Sequence, residues 1–364
     1  MLSVIKTRKL QHPWRLATLE SMQQRLISTL LWLWLLMIVH TLLIAYFENL
    51  VLKDALWLTF TSITTVGYGD FSAQTLYGRI TTIVLIYFSG IMLLTLSITQ
   101  YVEYRVAVSQ RKHLGQWVWR GMKNHILIIK TPNFDSERYL QRLVAQVKET
   151  PELKELPIQV LTNEFPNGIP NVLREQGVVL YRGDAENVES LKAVNVEQAK
   201  YIFVMSEDKR YQYSDSLTFD ILDKLKALNT KAYTIAEVVD DSNRDRFFRV
   251  GVHSVIRPVR AYPEIVVRAM SSPGTEQVLE DLFDHKGAHP YRVEVEIKSK
   301  LWSEIGCEVL SKGFGVPLGY IDHDGKVVTN PAPDNQVFAK ALLVLVHYKH
   351  IPTLNQIQHC INSL

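Results

Sequence analysis

The sequence predicts an α-helical membrane part of two spans with a re-entrant helix between them, then an α/β domain built on a parallel sheet, then a small α+β lobe. Three observations carry that fold class. Two long stretches, 26–47 and 80–102, contain no charged side chain. A short loop with alternating glycines, Gly67 and Gly69, stands between them. Beyond residue 124, short apolar runs alternate with amphipathic ones in β-then-α order.

The first stretch, Leu26 to Phe47, holds 22 residues without Asp, Glu, Lys or Arg. At roughly 1.5 Å per residue it reaches about 33 Å, enough for the hydrocarbon layer. The second runs from Ile80 to Val102. Core helices of soluble domains rarely exceed about 20 residues, so two such runs around a special loop argue for membrane spans. The first also begins too late and runs too long for a cleaved leader, and it lacks a small-residue cleavage site. Lys6, Arg8, Lys9, Arg15 and Arg25 precede it, and Arg105, Arg111, Lys112, Arg120 and Lys123 follow the second span, whereas only Lys53 and Arg79 lie between the two. Excess positive charge stays on the cytoplasmic side, so both termini are expected there, with the chain multi-pass in the cell membrane and surrounded by lipid.

Between the spans, Asp54 opens an amphipathic stretch through Ala55, Trp57, Phe60 and Ile63 that ends at Thr64. It reads as a re-entrant helix whose negative dipole end favours a cation. Then comes Thr65-Val66-Gly67-Tyr68-Gly69-Asp70. Alternating glycines permit dihedrals that aim successive carbonyls to one side, and four such loops about an axis replace the water of a dehydrated ion. The run resembles the selectivity filter of potassium channels. That resemblance implies a homotetramer, K+ as the permeant ion, and Thr65, Val66, Gly67, Tyr68 and Gly69 as the filter. A glycine-bearing surface turn is the plainer alternative, and the flanking spans argue against it. Irregular backbone at membrane depth is tolerated only where protein and a water-filled path surround it. Gly90, near the middle of the second span, is a gating-hinge candidate and equally a close-packing glycine. His40, inside the first span, is expected to hydrogen-bond a neighbouring helix. No Arg-rich periodic helix precedes the pore, so a voltage sensor is not expected.

The remaining 260 or so residues suffice for one or two soluble domains. A net charge of +3 points to no nucleic acid. Cys307 and Cys360 lack paired metal-ligand spacing, and the histidines outside the spans form no zinc-like grouping. Strands are expected at His125–Lys130, Ile158–Thr162, Val178–Tyr181, Tyr201–Met205 and Ala232–Val238. Helices are expected at Ser136–Lys148, Val188–Ala193 and Ser214–Leu228. This alternation gives a Rossmann-like parallel sheet with right-handed crossovers. Gly183-Asp184-Ala185, Leu191-Lys192-Ala193, Ala236-Glu237, and Gly251-Val252 before Val255-Ile256-Arg257-Pro258 are similar to the landmarks of RCK domains, regulators of potassium conductance. Two helical stretches, Tyr262–Met270 and Thr275–Phe283, are similar to the helix-turn-helix by which those domains pair. The segment from Tyr291 to Tyr348 is similar to their small C-terminal lobe. The expected organisation is an arm at 1–25, a pore domain at 26–102, a linker at 103–123, the Rossmann-like lobe at 124–260, the pairing segment at 261–289 and the C-terminal lobe at 290–364.

Two ligand chemistries remain for that domain. A nucleotide-binding turn after the first strand needs glycines so that a pyrophosphate can reach the helix N-terminus. Here stands Lys130-Thr131-Pro132-Asn133-Phe134-Asp135, and Asn163 and Glu164 follow the second strand where an acid would hold a ribose. Conventional NAD binding is therefore not expected; Lys130, Asn163, Glu164 and Arg182 are the candidates for an altered nucleotide mode. Calcium or another divalent cation needs converging oxygen ligands. Of the three carboxylate positions that the resemblance implies, only Glu237 is acidic, the others being Met205 and Val239. Asp184, Glu207, Asp208 and Glu237 are the regulatory metal candidates.

The chain thus reads as a potassium-selective channel, not an enzyme, gated by a cytoplasmic RCK ring that answers an intracellular ligand. A membrane-anchored oxidoreductase would need the glycine fingerprint that is missing. A non-selective cation channel of the same architecture is argued against by Tyr68. Met122, just before the first strand, is placed for an internal start that would supply four untethered domains and make the ring octameric.

Overall fold

The computed structural model describes residues 19–208, 213–257, 267, 269–283, 287–347 and 352–362. They fall into two compact units, Met1–Trp117 and Val118–Leu364.

In the first unit the first span is a helix of 30 residues, Leu19–Glu48, the re-entrant helix is Leu52–Ile63, and the second span is a helix of 38 residues, Leu76–His113. Both spans outrun the uncharged stretches that announced them. A charge ends favourable burial in lipid but does not break a helix; the break comes where a residue turns left-handed, Asn49 at φ 53° after the first span. For the second span it is Gly115 at φ 69°, with the Gln116 amide donating to Arg111 O at 2.9 Å and the Gly115 amide to Lys112 O at 3.3 Å. That is the bonding of a Schellman stop. About half of the expected linker, 103–113, is therefore helix. Within the span, Thr82–Gly90 is wound as a π-helix, and the Ser89 hydroxyl donates to Val84 O five residues back at 3.1 Å. Leu33, Met37, Ile63 and Ile86 pack the three helices together at one level, and Ile44, Ala55 and Leu58 join the first span to the re-entrant helix at another. Trp32, Trp34, Leu35 and Leu42 point outward from the first span, the surface of a helix whose surroundings are apolar.

The second unit opens with a six-stranded, all-parallel sheet in the order β3-β2-β1-β4-β5-β6. Its strands are β1 Ile126–Ile129, β2 Ile158–Leu161, β3 Val178–Tyr181, β4 Tyr201–Val204, β5 Tyr233–Glu237 and β6 Ser254–Ile256. All four residues of β1 and of β2 are buried, because helices cover both faces of a parallel sheet. Period-two alternation divides the core. Leu127 and Ile129 face Leu191, Leu222 and Phe247, while Ile126 and Ile128 face Leu140, Val144 and Leu173. The expected strands and helices recur within two residues, and shorter elements join them, among them the helices Asn171–Glu175 and Arg244–Val250, and β6.

The C-terminal lobe is an antiparallel sheet in the order β7-β10-β8-β9, with β7 Ala288–Leu301, β8 Val316–Ile321, β9 Val327–Thr329 and β10 Gln336–His347. Helices Trp302–Ser311 and Leu354–Asn362 seal its inner face through Trp302, Ile305, Ile357 and Cys360. The helix Thr275–Phe283 forms as expected. Most of the other pairing stretch, Tyr262–Met270, lies outside the described residues.

Candidate functional site: the filter loop and the strand-end crevice

The re-entrant helix delivers the glycine loop. Thr65, Gly67 and Gly69 take φ of 60°, 52° and 78°, so every second residue is left-handed and the peptide planes alternate as a carbonyl ladder requires. Glycine accepts that conformation freely; a β-branched threonine does not. Thr65 is held there by the end of the helix. Its amide donates to Ser62 O at 3.1 Å, and the amides of Val66 and Gly67 both donate to Thr61 O, at 2.9 and 3.2 Å. Side chains brace the other end. Trp57 Nε1 donates to Asp70 Oδ2 at 2.8 Å, and the Trp57 and Tyr68 rings stack, with centroids 5.6 Å apart and planes 7° apart. The sequence reading missed both braces, although Trp57 and Asp70 lie only 13 residues apart.

His40 is fully buried, its Nδ1 2.8 Å from Thr59 Oγ1 on the re-entrant helix and its Nε2 3.2 Å from Thr82 Oγ1 on the second span. One side chain of the first span thus bonds the other two helices, as its position there suggested. Gly90 faces the end of the re-entrant helix. A Cβ built on it would lie 3.2 Å from Ile63 Cδ1 and 3.0 Å from Leu85 O.

In the second unit the sequence candidates gather at the carboxyl ends of the parallel strands, at the reversal of strand order between β1 and β4 where such sheets bind ligands. Lys130, Asn163, Glu164, Asp184 and Glu207 line one cavity of about 150 Å³. Lys130 sits directly after β1 with φ 64°, the left-handed place a glycine would fill. Its ammonium is 2.6 Å from Glu186 Oε1 and 2.8 Å from Glu207 Oε2, with the side chain only 12% exposed. Burial alone pulls its pKa down; the bonds and charges of Glu186 and Glu207 outweigh that and hold it above the usual lysine value. Lys130 is therefore not a cation waiting to offset phosphate. Asn163 donates to Asp184 Oδ1, and the Thr131 and Thr162 hydroxyls bond at 2.9 Å. Arg182 does not join this lining; its Nη1 donates to Pro166 O at 3.4 Å.

The other acids are placed apart. Asp208 borders a second cavity of about 440 Å³, with Arg138, Tyr139 and Arg142. Glu237, at the end of β5, is buried, accepting from the Ser206 amide at 3.0 Å and from Tyr139. Among the described residues no group of three or more His, Cys, Asp or Glu side chains is placed to hold a metal ion. Of the four metal candidates, Asp184 and Glu207 share the first cavity and Glu207 and Asp208 border the second, while Glu237 lines neither and is held by Ser206 and Tyr139. Asp215 escaped the sequence reading. It is buried on the helix Tyr213–Ala227 and accepts from the amides of Val239 and Asp240 at 2.7 and 2.9 Å, closing the loop after β5.

A two-span unit with a carbonyl-ladder loop, followed by a Rossmann-like domain, defines a membrane pore protein with an attached α/β module. Residues 27–106 match the ion channel family, and residues 164–258 match the TrkA-N domain. The chain thus carries an ion-channel region followed by a TrkA-N, or RCK, domain. It is similar to the calcium-gated potassium channel TvoK of Thermoplasma volcanium, 26% identical over 252 residues, 66% of this chain and 66% of the relative. It is also similar to potassium channel protein 1 of Methanocaldococcus jannaschii, 22% identical over 319 residues, 83% of this chain and 88% of the relative. The solved GsuK channel shares the fold at a TM-score of 0.51 and 16% identity, over 93% of this chain and 60% of that one. The TrkA-N match begins at residue 164, so the turn Lys130–Asp135, where the glycines are missing, lies outside it.

Proposed function

We propose that four copies of this chain form a potassium-selective channel in the cell membrane, with both termini cytoplasmic and an RCK ring that opens or closes the pore in response to an intracellular ligand. One observation carries this: left-handed backbone at Thr65, Gly67 and Gly69, at the end of a re-entrant helix between two spans. The names of the similar proteins TvoK and potassium channel protein 1 support it. The second span continues as helix to His113, so rearrangement of the ring would act on it through a short connector. A ligand works only by binding the two ring states unequally. A divalent cation is the first candidate, since TvoK is named as calcium-gated and the nucleotide turn is altered. Four tethered domains leave one pairing surface of each unmatched, and four copies started at Met122 would complete an octameric ring. A Met122→Ile change should then remove a co-purifying fragment of about two thirds of the full mass.

The test is a recording from the purified full chain in a planar bilayer under a K+/Na+ gradient. The reversal potential should follow K+, and Gly67→Ala should abolish conduction, since its methyl demands left-handed backbone of a residue that resists it. Comparable Na+ permeability would refute selectivity. Titrating Ca2+, Mg2+ and nucleotides into the same recording identifies the ligand class.

A further inference from the structure

We propose that Lys130 is a built-in ligand of the strand-end crevice: its ammonium occupies the bridging position between Glu186 and Glu207 that a diffusible divalent cation would take, and closes the crevice permanently.

The argument starts from the backbone. Lys130 stands at φ 64°, where glycine is at ease and a side-chain-bearing residue is strained. The strained residue nevertheless carries a long charged side chain into the crevice. There its ammonium reaches one oxygen on each of two carboxylates from separate loops, Glu186 beyond β3 and Glu207 beyond β4, at 2.6 and 2.8 Å. Three chain segments at the reversal of strand order are thereby tied at a single point. Two carboxylates around one cation is also how a divalent ion would tie them, and a lysine supplies the charge without needing six to eight oxygen ligands. Remaining oxygens are close by in the same cavity of about 150 Å³, on Thr131, Thr162 and Asn163. Taking the lysine away leaves two facing carboxylates that repel each other beside those oxygens, which is a cation site with its occupant removed.

The substitution that separates this from a merely tolerated lysine is Lys130→Gly. On backbone grounds alone it relieves strain and raises the melting temperature of the full chain in detergent. If Lys130 is the bridge, Lys130→Gly lowers the melting temperature by several degrees in EDTA, and millimolar Ca2+ restores it by a similar amount. Wild type shows no such restoration, nor does Lys130→Gly combined with Glu207→Gln. Lys130→Arg, which keeps the charge, stays close to wild type in EDTA. A Lys130→Gly chain as stable as wild type in EDTA, or one whose Ca2+ response survives Glu207→Gln, overturns the proposal. Should Lys130→Gly not fold, Lys130→Met with and without Glu207→Gln gives the same comparison, and failure of both to fold even in Ca2+ also counts against it. This stability test does not depend on conduction. The regulatory arm rests on the channel reading: K+ flux through Lys130→Gly in liposomes should become Ca2+-dependent at least fivefold beyond wild type. Absence of flux in every form would indict the channel reading and leave the bridge standing on the melting data.

Discussion

Trp57 reaches from the first half of the re-entrant helix to the residue that closes the filter loop, its indole Nε1 donating to Asp70 at 2.8 Å. With the Tyr68 ring stacked on the same indole, one side chain fixes both ends of the Tyr68–Asp70 stretch. The loop's left-handed residues gain nothing from packing of their own, since a Cβ on Gly67 or Gly69 would meet no atom within 4 Å in the single chain. The helix end holds Thr65 and Gly67 through Ser62 and Thr61, and the brace from behind holds the stretch around Gly69. Trp57→Phe keeps a ring for the stack and removes the bond, a loss of about 1 kcal/mol, or roughly fivefold in the balance between conducting and collapsed filters. Potassium currents from that variant should decay several-fold faster when external K+ is lowered, and Asp70→Asn, which keeps an acceptor, should be milder. Currents as sustained as wild type would show that the bond does not hold the filter.

Gly90 and Ile63 make the second prediction. In an exposed helix, Gly→Ala gains about 1 kcal/mol. Here the added methyl enters at 3.2 Å from Ile63 Cδ1 and 3.0 Å from Leu85 O, and overpacking costs about 1 to 3 kcal/mol. Gly90→Ala should therefore lower the melting temperature of the assembled channel in detergent, and Ile63→Val in the same chain should recover part of the loss. A variant of unchanged stability but altered opening and closing rates would favour the hinge over the packing role.

How far the sequence carried depends on how local each signal was. Strands β1 to β5 are short apolar runs bounded by polar residues, and their ends were legible to within a residue or two. The membrane helices were underestimated because the missing charges mark lipid depth, while Gly115 marks the end of the helix. In the filter the residue types were legible. What Thr65 does was not, because a β-branched residue at φ 60° is imposed by Ser62 and Thr61, not by its own preference. The crevice was legible as a place and misread as a set of charges. Lys130 looked free because Glu186 and Glu207 are 56 and 77 positions away, and Arg182 looked available because its bond to Pro166 is invisible in one dimension. Asp215 carries no motif at all; only the fold brings the amides after β5 to it.

Tyr139 gives a pH prediction. Burial, then the negative charge of Glu237 and the bond to it, push the Tyr139 phenol up to about 12. A group raised above its unfolded value, near 10, holds its proton more tightly in the folded chain. The stability linked to it is complete below about pH 10 and is lost as pH rises through about 12. Urea unfolding of wild type and Tyr139→Phe should therefore run parallel up to pH 10. Between pH 10 and 12 wild type should lose stability relative to the variant, the remaining tyrosines and lysines cancelling in the comparison. A difference flat across that window would show that Tyr139 is not buried against Glu237.

The last prediction concerns nucleotides. An anion reaches the switch point of a doubly wound sheet by sitting on free amides at a helix N-terminus. In this chain Pro132 has no amide to offer, Asp135 occupies the N-cap, and Glu137 stands in the first turn of the helix Ser136–Glu149. Those carboxylates favour the helix dipole themselves and repel phosphate. The single cation after β1, Lys130, is already held by Glu186 and Glu207. Calorimetry of the full chain with NAD or ADP should accordingly show binding no tighter than about 0.1 mM, roughly 5.5 kcal/mol. Lys130→Gly restores a glycine but leaves Pro132, Asp135 and Glu137 in place, so it too should bind weakly. Micromolar affinity in wild type would mean that the nucleotide avoids this turn, and loss of that affinity in Arg138→Ala with Arg142→Ala would locate it in the neighbouring cavity of about 440 Å³. Tight binding that both arginine changes leave intact, and that Lys130→Gly strengthens, would show that the missing glycine alone had kept the nucleotide out.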